Sequence, residues 1–337
     1  MNVAVIGAGS WGTALAQVLA DSGNNVTLWA RKQEVADGIN RDHKNIRYLS
    51  DVTLPPQVTA TSSLSDCLAS AEAVVVVTPS STLREFAEKI APLVSSDAPI
   101  ILCSKGVEQE TGYLPIAIFE EVVGNADRLA VLSGPNHAEE VIARIPSGTV
   151  IASRCEDTAT RFRNLFSTPY FRGYTSSDCV GVELCAAFKN VIAIAVGISY
   201  GISFGDNTAA MLMTRGMAEM SRLVQACGGQ AMTVMGLAGA GDLIATCTSE
   251  HSRNRSFGKQ LAQGVSLDEF CQKTHMVVEG ALACRTISPL ARRYNVEVPI
   301  TQMVESVIWE HASITRAAHA LISRPLTTEF WGISQSK

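Results

Sequence analysis

The sequence lacks the patterns that mark several classes of protein. Its nine cysteines include no C-x-x-C pair and are odd in number, so neither a disulfide framework nor a zinc site is indicated. None of the six histidines has a metal-ligand spacing such as H-E-x-x-H, so we expect no metal. There is no run of lysine or arginine, and the net charge is −5, which argues against a nucleic-acid or membrane-surface partner. The longest apolar stretch, residues 191–198, is far shorter than a membrane span.

The composition does provide material for a large core. Of the 337 residues, 47% are hydrophobic and 18% are charged, as in a soluble globular protein, and the length predicts two domains. The first strand follows Met1 directly, which leaves no room for a signal peptide, so we expect a cytoplasmic protein. We expect small-molecule partners, no nucleic acid and no membrane span. An anionic ligand would need a local cluster of positive charge.

A glycine-rich turn stands at the start of the chain. Four apolar residues at 3–6 lead into Gly7-x-Gly9-x-x-Gly12, and residues 13–21 have a helical pattern. A buried strand, a tight turn and a helix N-terminus are typical of a dinucleotide site. Gly7 permits the turn, Gly9 leaves room for a pyrophosphate and Gly12 lets the helix pack close to the strand. The alternative is an ordinary strand-to-helix turn.

Two cations follow the second predicted strand, residues 26–29. Arg31 and Lys32 stand where NAD-selective sites usually carry an acidic residue for the ribose 2′-hydroxyl. Positive charge at this place suits a 2′-phosphate, so NADP(H) is favoured and NAD(H) is tolerated. The alternative interpretation is a solvated basic turn.

Short apolar strands alternate with helical segments through the first half of the chain. Further strands are predicted at residues 74–77, 99–103, 129–132, 149–152 and 170–174. This alternation predicts an α/β fold with a doubly wound parallel sheet of the Rossmann type. After about residue 176 only helical patterns remain. We therefore place a dinucleotide-binding domain at 1–180 and an all-helical substrate domain at 181–337.

Polar residues follow two of the predicted strands, where a parallel sheet binds its ligands. Lys105 follows one strand end, and Gly134 and Asn136 follow the next. Residues 136–139 also have the form of a helix cap, in which Glu139 reaches back to the chain and the helix N-terminus faces an anionic ligand. For Lys105 the alternative is a loop lysine without a function.

One lysine stands on the apolar face of the first helix of the second half, residues 178–197. Lys189 has mainly apolar neighbours three and four residues away, so its amine points inward. Such an amine suits general acid–base chemistry, because desolvation favours its neutral form. The alternative is a snorkelling lysine at a domain seam. For Asn190, the sequence leaves open whether the side chain binds a substrate oxygen or satisfies a backbone group. For Asp242, it leaves open whether the side chain holds Lys189 or caps a helix.

A basic segment follows at 252–255, where two arginines alternate with small hydrogen-bonding residues. Arginine forks bind phosphate bidentately, so Arg253 and Asn254 predict a phosphate clamp in a short turn. The alternative is a solvated loop.

Two further local patterns lie between these segments. On the helix predicted at 208–226, Asp206 is the expected cap and Arg215 and Glu219 the expected i,i+4 ion pair. The stretch 197–205 matches the G-x-S-x-G hydrolase pattern twice, but no strand precedes it. We interpret it as a flexible link.

Several short segments, in this order, carry a family resemblance. They are GAGSWGTA at 7–14, SKG at 104–106, SGPNHA at 133–138, FKNV at 188–191, GAGDL at 239–243, SRN at 252–254 and VVEG at 277–280. The sequence resembles the bacterial NAD(P)-dependent glycerol-3-phosphate dehydrogenases from Gly7 to about Thr301. One departure is Asn136, where that family more often has Ser or Thr.

The resemblance implies reversible reduction of dihydroxyacetone phosphate to sn-glycerol 3-phosphate for phospholipid synthesis, with NADPH or NADH as the cofactor and in a homodimer. It implies that Lys189 is the acid–base residue at the C2 oxygen and that Lys105 and Asp242 share in catalysis. The implied substrate contacts are Lys105, Gly134, Asn136, Lys189, Asn190, Asp242, Ser252, Arg253 and Asn254. The implied cofactor contacts are Gly7, Gly9, Ser10, Trp11, Gly12, Arg31, Lys32, Lys105, Ala138, Arg253, Val277 and Glu279.

The sequence is also compatible with two other functions. One is a reductase of the same fold that acts on another small acid, such as a 6-phosphogluconate or 3-hydroxyacyl substrate. The other is a non-catalytic dinucleotide sensor. Oxidation of NADPH in the presence of dihydroxyacetone phosphate separates all three.

Overall fold

The computed structural model describes residues 1–274 and 277–333. These residues form two compact units: Met1–Lys105 with Pro115–Cys179, and Gly106–Leu114 with the described residues from Val180 onward. The segment Gly106–Leu114 thus belongs to the second unit, although it lies inside the predicted domain 1–180. Val107 gives the physical reason, because its buried side chain is part of the apolar core of the second unit.

The first unit is built on a sheet that has eight strands among the described residues. The order of the strands is β3-β2-β1-β4-β5-β6-β7-β8. Their bounds are β1 Asn2–Ile6, β2 Asn25–Trp29, β3 Val58–Thr61, β4 Ala73–Val76, β5 Ile100–Leu102, β6 Leu129–Ser133, β7 Ser147–Ala152 and β8 Phe171–Ser176. Residues 3–6 and 74–76 are buried because central strands of a parallel sheet are covered on both faces. The predicted α/β class of the Rossmann type is confirmed.

Helices connect these strands. In the described part of the first unit they are α1 Ser10–Asp21, α2 Gln33–Asp42, α3 Leu64–Leu68, α4 Leu83–Ile90, α5 Pro115–Val123, α6 Ala138–Ile142 and α7 Glu156–Leu165. The first helix begins within the glycine motif, so the N-terminus of α1 lies next to the carboxyl end of β1.

One pair of strands departs from the predicted parallel sheet. β7 runs antiparallel to β6, with Leu132 opposite Ile151. The direction of β7 follows from its pairing with separate segments, since it pairs in parallel with β8 over six residues, Ser147 to Ala152, and with β6 over three. The period of a strand pattern does not reveal such pairings.

The second unit is helical, and its first helix contributes many residues to its apolar core. Its helices in the described residues are α8 Cys179–Gly201, α9 Asp206–Ala226, α10 Asp242–Thr248, α11 Arg253–Leu261, α12 Leu267–Thr274, α13 Glu279–Arg293, α14 Pro299–Trp309 and α15 Ile314–Ile322. By length and composition α8 is apolar enough to cross a membrane, but 94% of its apolar window is buried inside the fold. A core helix of a soluble protein passes the same test.

Glycines bring α8 and α11 into contact through their backbones. A Cβ atom added to Gly197 would lie 2.2 Å from the carbonyl oxygen of Arg255, and one added to Gly258 would lie 2.2 Å from that of Ile194. A Cβ atom on Gly201 would lie 2.7 Å from the carbonyl oxygen of Lys259. The first G-x-S-x-G match is therefore a helix-packing surface in the last turns of α8, and its interpretation as a flexible link is wrong.

The predicted ion pair on α9 is also wrong. Arg215 pairs with Glu329, at 3.4 Å between Nη1 and Oε1, whereas the Glu219 side chain points into the core. The Glu219 carboxylate accepts hydrogen bonds from the backbone N–H of Ile300 at 2.6 Å and from the hydroxyl of Thr301 at 3.2 Å. It therefore satisfies donors in the first turn of α14, which lack intrahelical acceptors.

The cap predicted for α9 is displaced by one residue. Asp206 is the first residue of the helix, and Gly205 occupies the cap position. The acidic side chain still lies at the positive end of the helix, where the helix dipole favours it.

Burial of Glu219 predicts a pH-dependent stability. Desolvation raises the pKa of this carboxyl to about 7, against the opposing effect of its hydrogen bonds and of nearby Arg222. A raised pKa in the folded state means that stability is greatest below the unfolded pKa and falls as the pH rises through about 7. We expect the free energy of unfolding of Glu219→Gln to exceed that of the wild type by up to about 3 kcal/mol at pH 8, and the two values to converge at pH 5.

Urea unfolding of both proteins between pH 5 and pH 8 measures this difference. Parallel pH profiles for the wild type and the variant would contradict the assignment to Glu219.

Candidate active site

The glycine turn leaves room for a ligand at one position and for backbone contacts at two others. Gly7 has φ +122°, and a Cβ atom there would lie 2.7 Å from the carbonyl oxygen of Val77. A Cβ atom on Gly12 would lie 1.8 Å from the carbonyl oxygen of Gly7. At Gly9, by contrast, a Cβ atom would meet nothing within 4 Å among the described residues. Gly7 and Gly12 are thus fixed by packing, and Gly9 borders open space.

The N-terminus of α1 opens onto this space. Gly9 is at its cap position in an extended conformation, and no side chain caps the helix within the described residues. The N–H groups of Ser10, Trp11 and Gly12 lack intrahelical acceptors, and the helix dipole makes this end positive. Open space and N–H donors without intrahelical acceptors fit the pyrophosphate of a dinucleotide, as the motif predicts.

A buried asparagine holds the glycine turn from outside the motif. The Nδ2 atom of Asn45 donates to the carbonyl oxygen of Ala8 at 3.0 Å and to the Oγ1 atom of Thr13 at 2.8 Å. Asn45 is 1% exposed and lies in the segment that follows α2. The sequence analysis missed this residue, because nothing in a single sequence links it to a turn more than thirty positions earlier.

The two cations after β2 differ in their surroundings. Both side chains are exposed, and Lys32 pairs with Glu34 at 3.3 Å between Nζ and Oε1. Lys32 also occupies the cap position of α2. Arg31 is therefore the better candidate to bind a 2′-phosphate, since part of the charge of Lys32 is compensated.

Polar groups gather at the carboxyl ends of β4 and β5. The hydroxyl of Ser104 donates to the carbonyl oxygen of Thr78 at 2.5 Å, which ties the two strand ends together. Lys105 follows directly and is half-buried. The Oγ1 atom of Thr78 is buried, and among the described residues no protein group bonds to it.

The segment after β6 departs from the predicted helix cap. His137 occupies the cap position of α6, and no side chain caps this helix in the described structure. The Nδ2 atom of Asn136 instead donates to the carbonyl oxygens of Pro135 and Gly148, each at 3.0 Å. An amide bridging to β7 competes with capping, so the predicted cap is wrong, and α6 is too short to provide a strong dipole.

Gly134 and Ala138 are also placed by packing. A Cβ atom on Gly134 would lie 2.8 Å from the carbonyl oxygen of Gly148, so the close approach of β6 and β7 requires glycine there. Ala138 is buried as the first residue of α6.

In the second unit, Lys189 is buried and held by two groups of α10. Its Nζ atom donates to the carboxylate of Asp242 and, at 2.9 Å, to the hydroxyl of Thr246. That hydroxyl donates to the carbonyl oxygen of Asp242 at 2.6 Å. Lys189 is 7% exposed and Asp242 is 2% exposed. The amine is thus oriented inside the fold, and the snorkelling alternative is excluded. Thr246 has no sequence signal beyond its position one turn after Asp242.

The basic segment at 252–255 is a helix start and not a short turn. Ser252 caps α11, because its hydroxyl accepts a hydrogen bond from the N–H of Arg255 at 3.3 Å. Arg253 is the exposed first residue of the helix. A guanidinium and the positive end of a helix of nine residues lie together here, which suits a phosphate group.

Two asparagines join this helix to α8 and α13. The Nδ2 atom of Asn254 donates to Oδ1 of Asn190 at 2.9 Å, and the Nδ2 atom of Asn190 donates to Oε2 of Glu279 at 3.1 Å. The backbone N–H of Gly280 donates to Oδ1 of Asn254 at 2.9 Å. Val277 precedes this cluster and is exposed, while His275 and Met276 lie outside the described residues.

Each unit therefore gathers its own part of the predicted site. In the first unit, the glycine turn and the residues after β2, β5 and β6 lie at the carboxyl ends of the strands. In the second unit, Lys189 and Asp242 belong to one hydrogen-bond network, and Asn190, Asn254 and Glu279 belong to another. Within residues 1–274 and 277–333, no group of three or more His, Cys, Asp or Glu side chains is arranged to hold a metal ion.

Comparison with known proteins covers both units. The N-terminal model of NAD-dependent glycerol-3-phosphate dehydrogenase matches residues 2–159, and the C-terminal model matches residues 178–319. A Corynebacterium urealyticum protein named glycerol-3-phosphate dehydrogenase [NAD(P)+] is 47% identical over 326 residues, which cover 96% of this chain and 98% of that protein. A Streptomyces griseus protein of the same name is 44% identical, and the match covers 98% of this chain and 98% of that protein.

The fold agrees with a solved structure. The crystal structure of glycerol-3-phosphate dehydrogenase from Coxiella burnetii has a TM-score of 0.92 and 36% identity, over 96% of this chain and 99% of that one. With both family models matched along most of its length and close relatives of the same size, the chain belongs to the NAD-dependent glycerol-3-phosphate dehydrogenase family.

Proposed function

We propose that this protein catalyses the reversible reduction of dihydroxyacetone phosphate to sn-glycerol 3-phosphate, with NADPH or NADH, and so supplies glycerophospholipid synthesis. The observation that carries the proposal is the buried Lys189 amine, held by Asp242 and Thr246 in a chain of this family. A buried amine with a fixed orientation is the group that a ketone reductase needs at the carbonyl oxygen.

The chemistry divides between the cofactor and the protein. A bound nicotinamide supplies or accepts the hydride at C2 of the substrate. In the direction of reduction, the ammonium group of Lys189 stabilises the negative charge that develops on the C2 oxygen and donates a proton to it. In the reverse direction the neutral amine accepts that proton. Asp242 stabilises the charged form, and the hydroxyl of Thr246 fixes the direction of the amine.

The phosphate of the substrate supplies binding energy away from the reacting carbon. We assign it to Arg253, Ser252 and Asn254 at the start of α11, where cationic and N–H donors lie together. We assign Asn190 to the same substrate. In the first unit, we assign Lys105, Gly134 and Asn136 to substrate contacts, with Lys105 as the group that polarises the ketone.

The glycine turn is our candidate for the cofactor site. In the first unit the proposed contacts are Gly7, Gly9, Ser10, Trp11, Gly12, Arg31, Lys32, Lys105 and Ala138. In the second unit they are Arg253, Val277 and Glu279. The open space beside Gly9 and the uncapped N-terminus of α1 support this assignment. Exposed Arg31 supports a preference for NADPH, because a 2′-phosphate needs a cation.

We also propose that the enzyme is a cytoplasmic homodimer. Helix α9 and the turn that contacts it, Ala231–Met235, expose Met211, Met232 and Met235. Apolar surface of this kind favours contact with a second copy.

Replacement of the amine tests the proposed acid–base role. We expect Lys189→Ala to lower kcat with dihydroxyacetone phosphate by about 10²–10⁴-fold, because the proton donor is lost. NADPH binding, measured by fluorescence titration, should change little. Lys259→Ala, which removes an exposed lysine of α11, is the matched control and should keep wild-type kcat. A Lys189→Ala enzyme with undiminished turnover would remove this role.

Arg253→Ala tests the proposed phosphate site. At saturating NADPH, which removes any effect on the cofactor contact of Arg253, we expect the KM for dihydroxyacetone phosphate to rise about tenfold or more, since a charge-assisted contact is lost, while the rate with unphosphorylated dihydroxyacetone stays as in the wild type. Steady-state kinetics with both ketones measure the difference. An equal loss with the two ketones would show that Arg253 does not bind the phosphate.

Arg31→Ala tests the proposed cofactor preference. We expect the KM for NADPH to rise several-fold and the KM for NADH to stay nearly constant, because only NADPH carries the 2′-phosphate. Arg41→Ala, at an exposed arginine paired with Asp42 on α2, is the control. The same loss for both cofactors would contradict a 2′-phosphate contact.

A further inference from the structure

One backbone donor determines the orientation of a chain of buried amides in the second unit. The N–H of Gly280 lies in the first turn of α13, where helical geometry leaves it without an intrahelical acceptor. It donates to Oδ1 of Asn254 at 2.9 Å. A backbone N–H is only a donor, so the oxygen of the Asn254 amide must face it, and the amide nitrogen must face the other way.

The same polarity passes through the next amide. The Nδ2 atom of Asn254 faces Asn190, which must present its oxygen, and the two atoms are 2.9 Å apart. The Nδ2 atom of Asn190 then faces Oε2 of Glu279 at 3.1 Å. Asn190 is 3% exposed and Asn254 is 7% exposed, so an inverted amide would leave buried groups with mismatched partners.

Close packing keeps the chain of amides in place. A Cβ atom on Gly280 would lie 2.4 Å from the backbone carbonyl oxygen of Asn190. The glycine therefore allows the start of α13 to contact α8 directly. Two of the four groups, Glu279 and Gly280, are the first residues of α13, so they move together if that helix moves.

We propose that Asn254 and Asn190 are positioning residues that transmit the polarity of the Gly280 N–H to the Glu279 carboxylate and so fix the direction in which each amide presents its remaining N–H donor to a ligand. Each amide oxygen accepts a hydrogen bond inside the cluster, and each Nδ2 atom carries a second hydrogen. The pair is thus set to bind acceptor oxygens, such as those of a phosphate or a ketone. This inference rests on the proposed function for the identity of the ligand, but the orientation itself rests on the hydrogen bonds.

Asn254→Asp is the sharpest test, because it changes polarity and almost no volume. At pH 8 an aspartate has only acceptors, so it accepts from the Gly280 N–H but repels the oxygen of Asn190. Asn190 must then invert, and its oxygen faces the Glu279 carboxylate. We expect the KM for dihydroxyacetone phosphate to rise about tenfold or more and the midpoint of thermal unfolding to fall.

A second substitution restores the pattern of donors and acceptors. In Asn254→Asp/Glu279→Gln, the inverted Asn190 oxygen accepts from the amide of residue 279. Glu279→Gln alone also keeps a complementary pattern, because its oxygen accepts from Asn190. We therefore expect the double variant to recover most of the loss in thermal midpoint relative to Asn254→Asp, while its KM stays raised because residue 254 has lost its N–H donors. A double variant with a thermal midpoint no higher than that of Asn254→Asp would overturn the proposal.

The two readouts separate this inference from the proposed function. The rate of the wild type with dihydroxyacetone phosphate and NADPH tests the function. The thermal midpoints of the four proteins test the amide chain without any substrate. An inactive wild type with recovery of the midpoint in the double variant would contradict the function and support the chain, and an active wild type without recovery would do the reverse.

Discussion

A buried ammonium needs a compensating anion, and this requirement decides where α10 lies against α8. Lys189 and Asp242 are separated by 53 positions in the sequence, yet both are buried and in contact. The loss of one partner from such a pair typically costs about 3–5 kcal/mol, because the other charge is left uncompensated. The intact pair adds little net stability, since desolvation offsets most of the attraction. Its presence in an apolar core therefore fits the acid–base role that we propose for the amine.

Both units use buried asparagines to control backbone near the proposed ligands. In the first unit, Asn45 holds the carbonyl oxygen of Ala8 inside the glycine motif. In the second, Asn254 holds the N–H of Gly280 at the start of α13. Asn254 accepts from a backbone group and donates to Asn190, whereas Asn45 donates both of its hydrogen bonds through Nδ2. A carboxylate, which only accepts, would satisfy neither pattern.

Much of the first unit, and the direction of one lysine in the second, could be predicted because the signals are local. The glycine motif and the apolar strands are contiguous in the sequence, and the inward direction of Lys189 follows from neighbours three and four residues away. Strand β3 was not predicted, since its four residues, Val58–Thr61, pair only at the edge of the sheet. The reversal of β7, the cap expected at Asn136 and the pairing of Glu219 depend on contacts between distant segments. Thr246 and Asn45 could not be identified for the same reason.

The apolar character of α8 also has a consequence for the synthesis of the protein. This helix of 23 residues leaves the ribosome before its backbone partner α11, which begins roughly 50 residues later in the chain. At typical translation rates of about 5–20 residues per second, a segment with the composition of a membrane helix waits for several seconds without the surface that covers it. During that interval α8 exposes aggregation-prone apolar surface, which the finished fold buries almost completely.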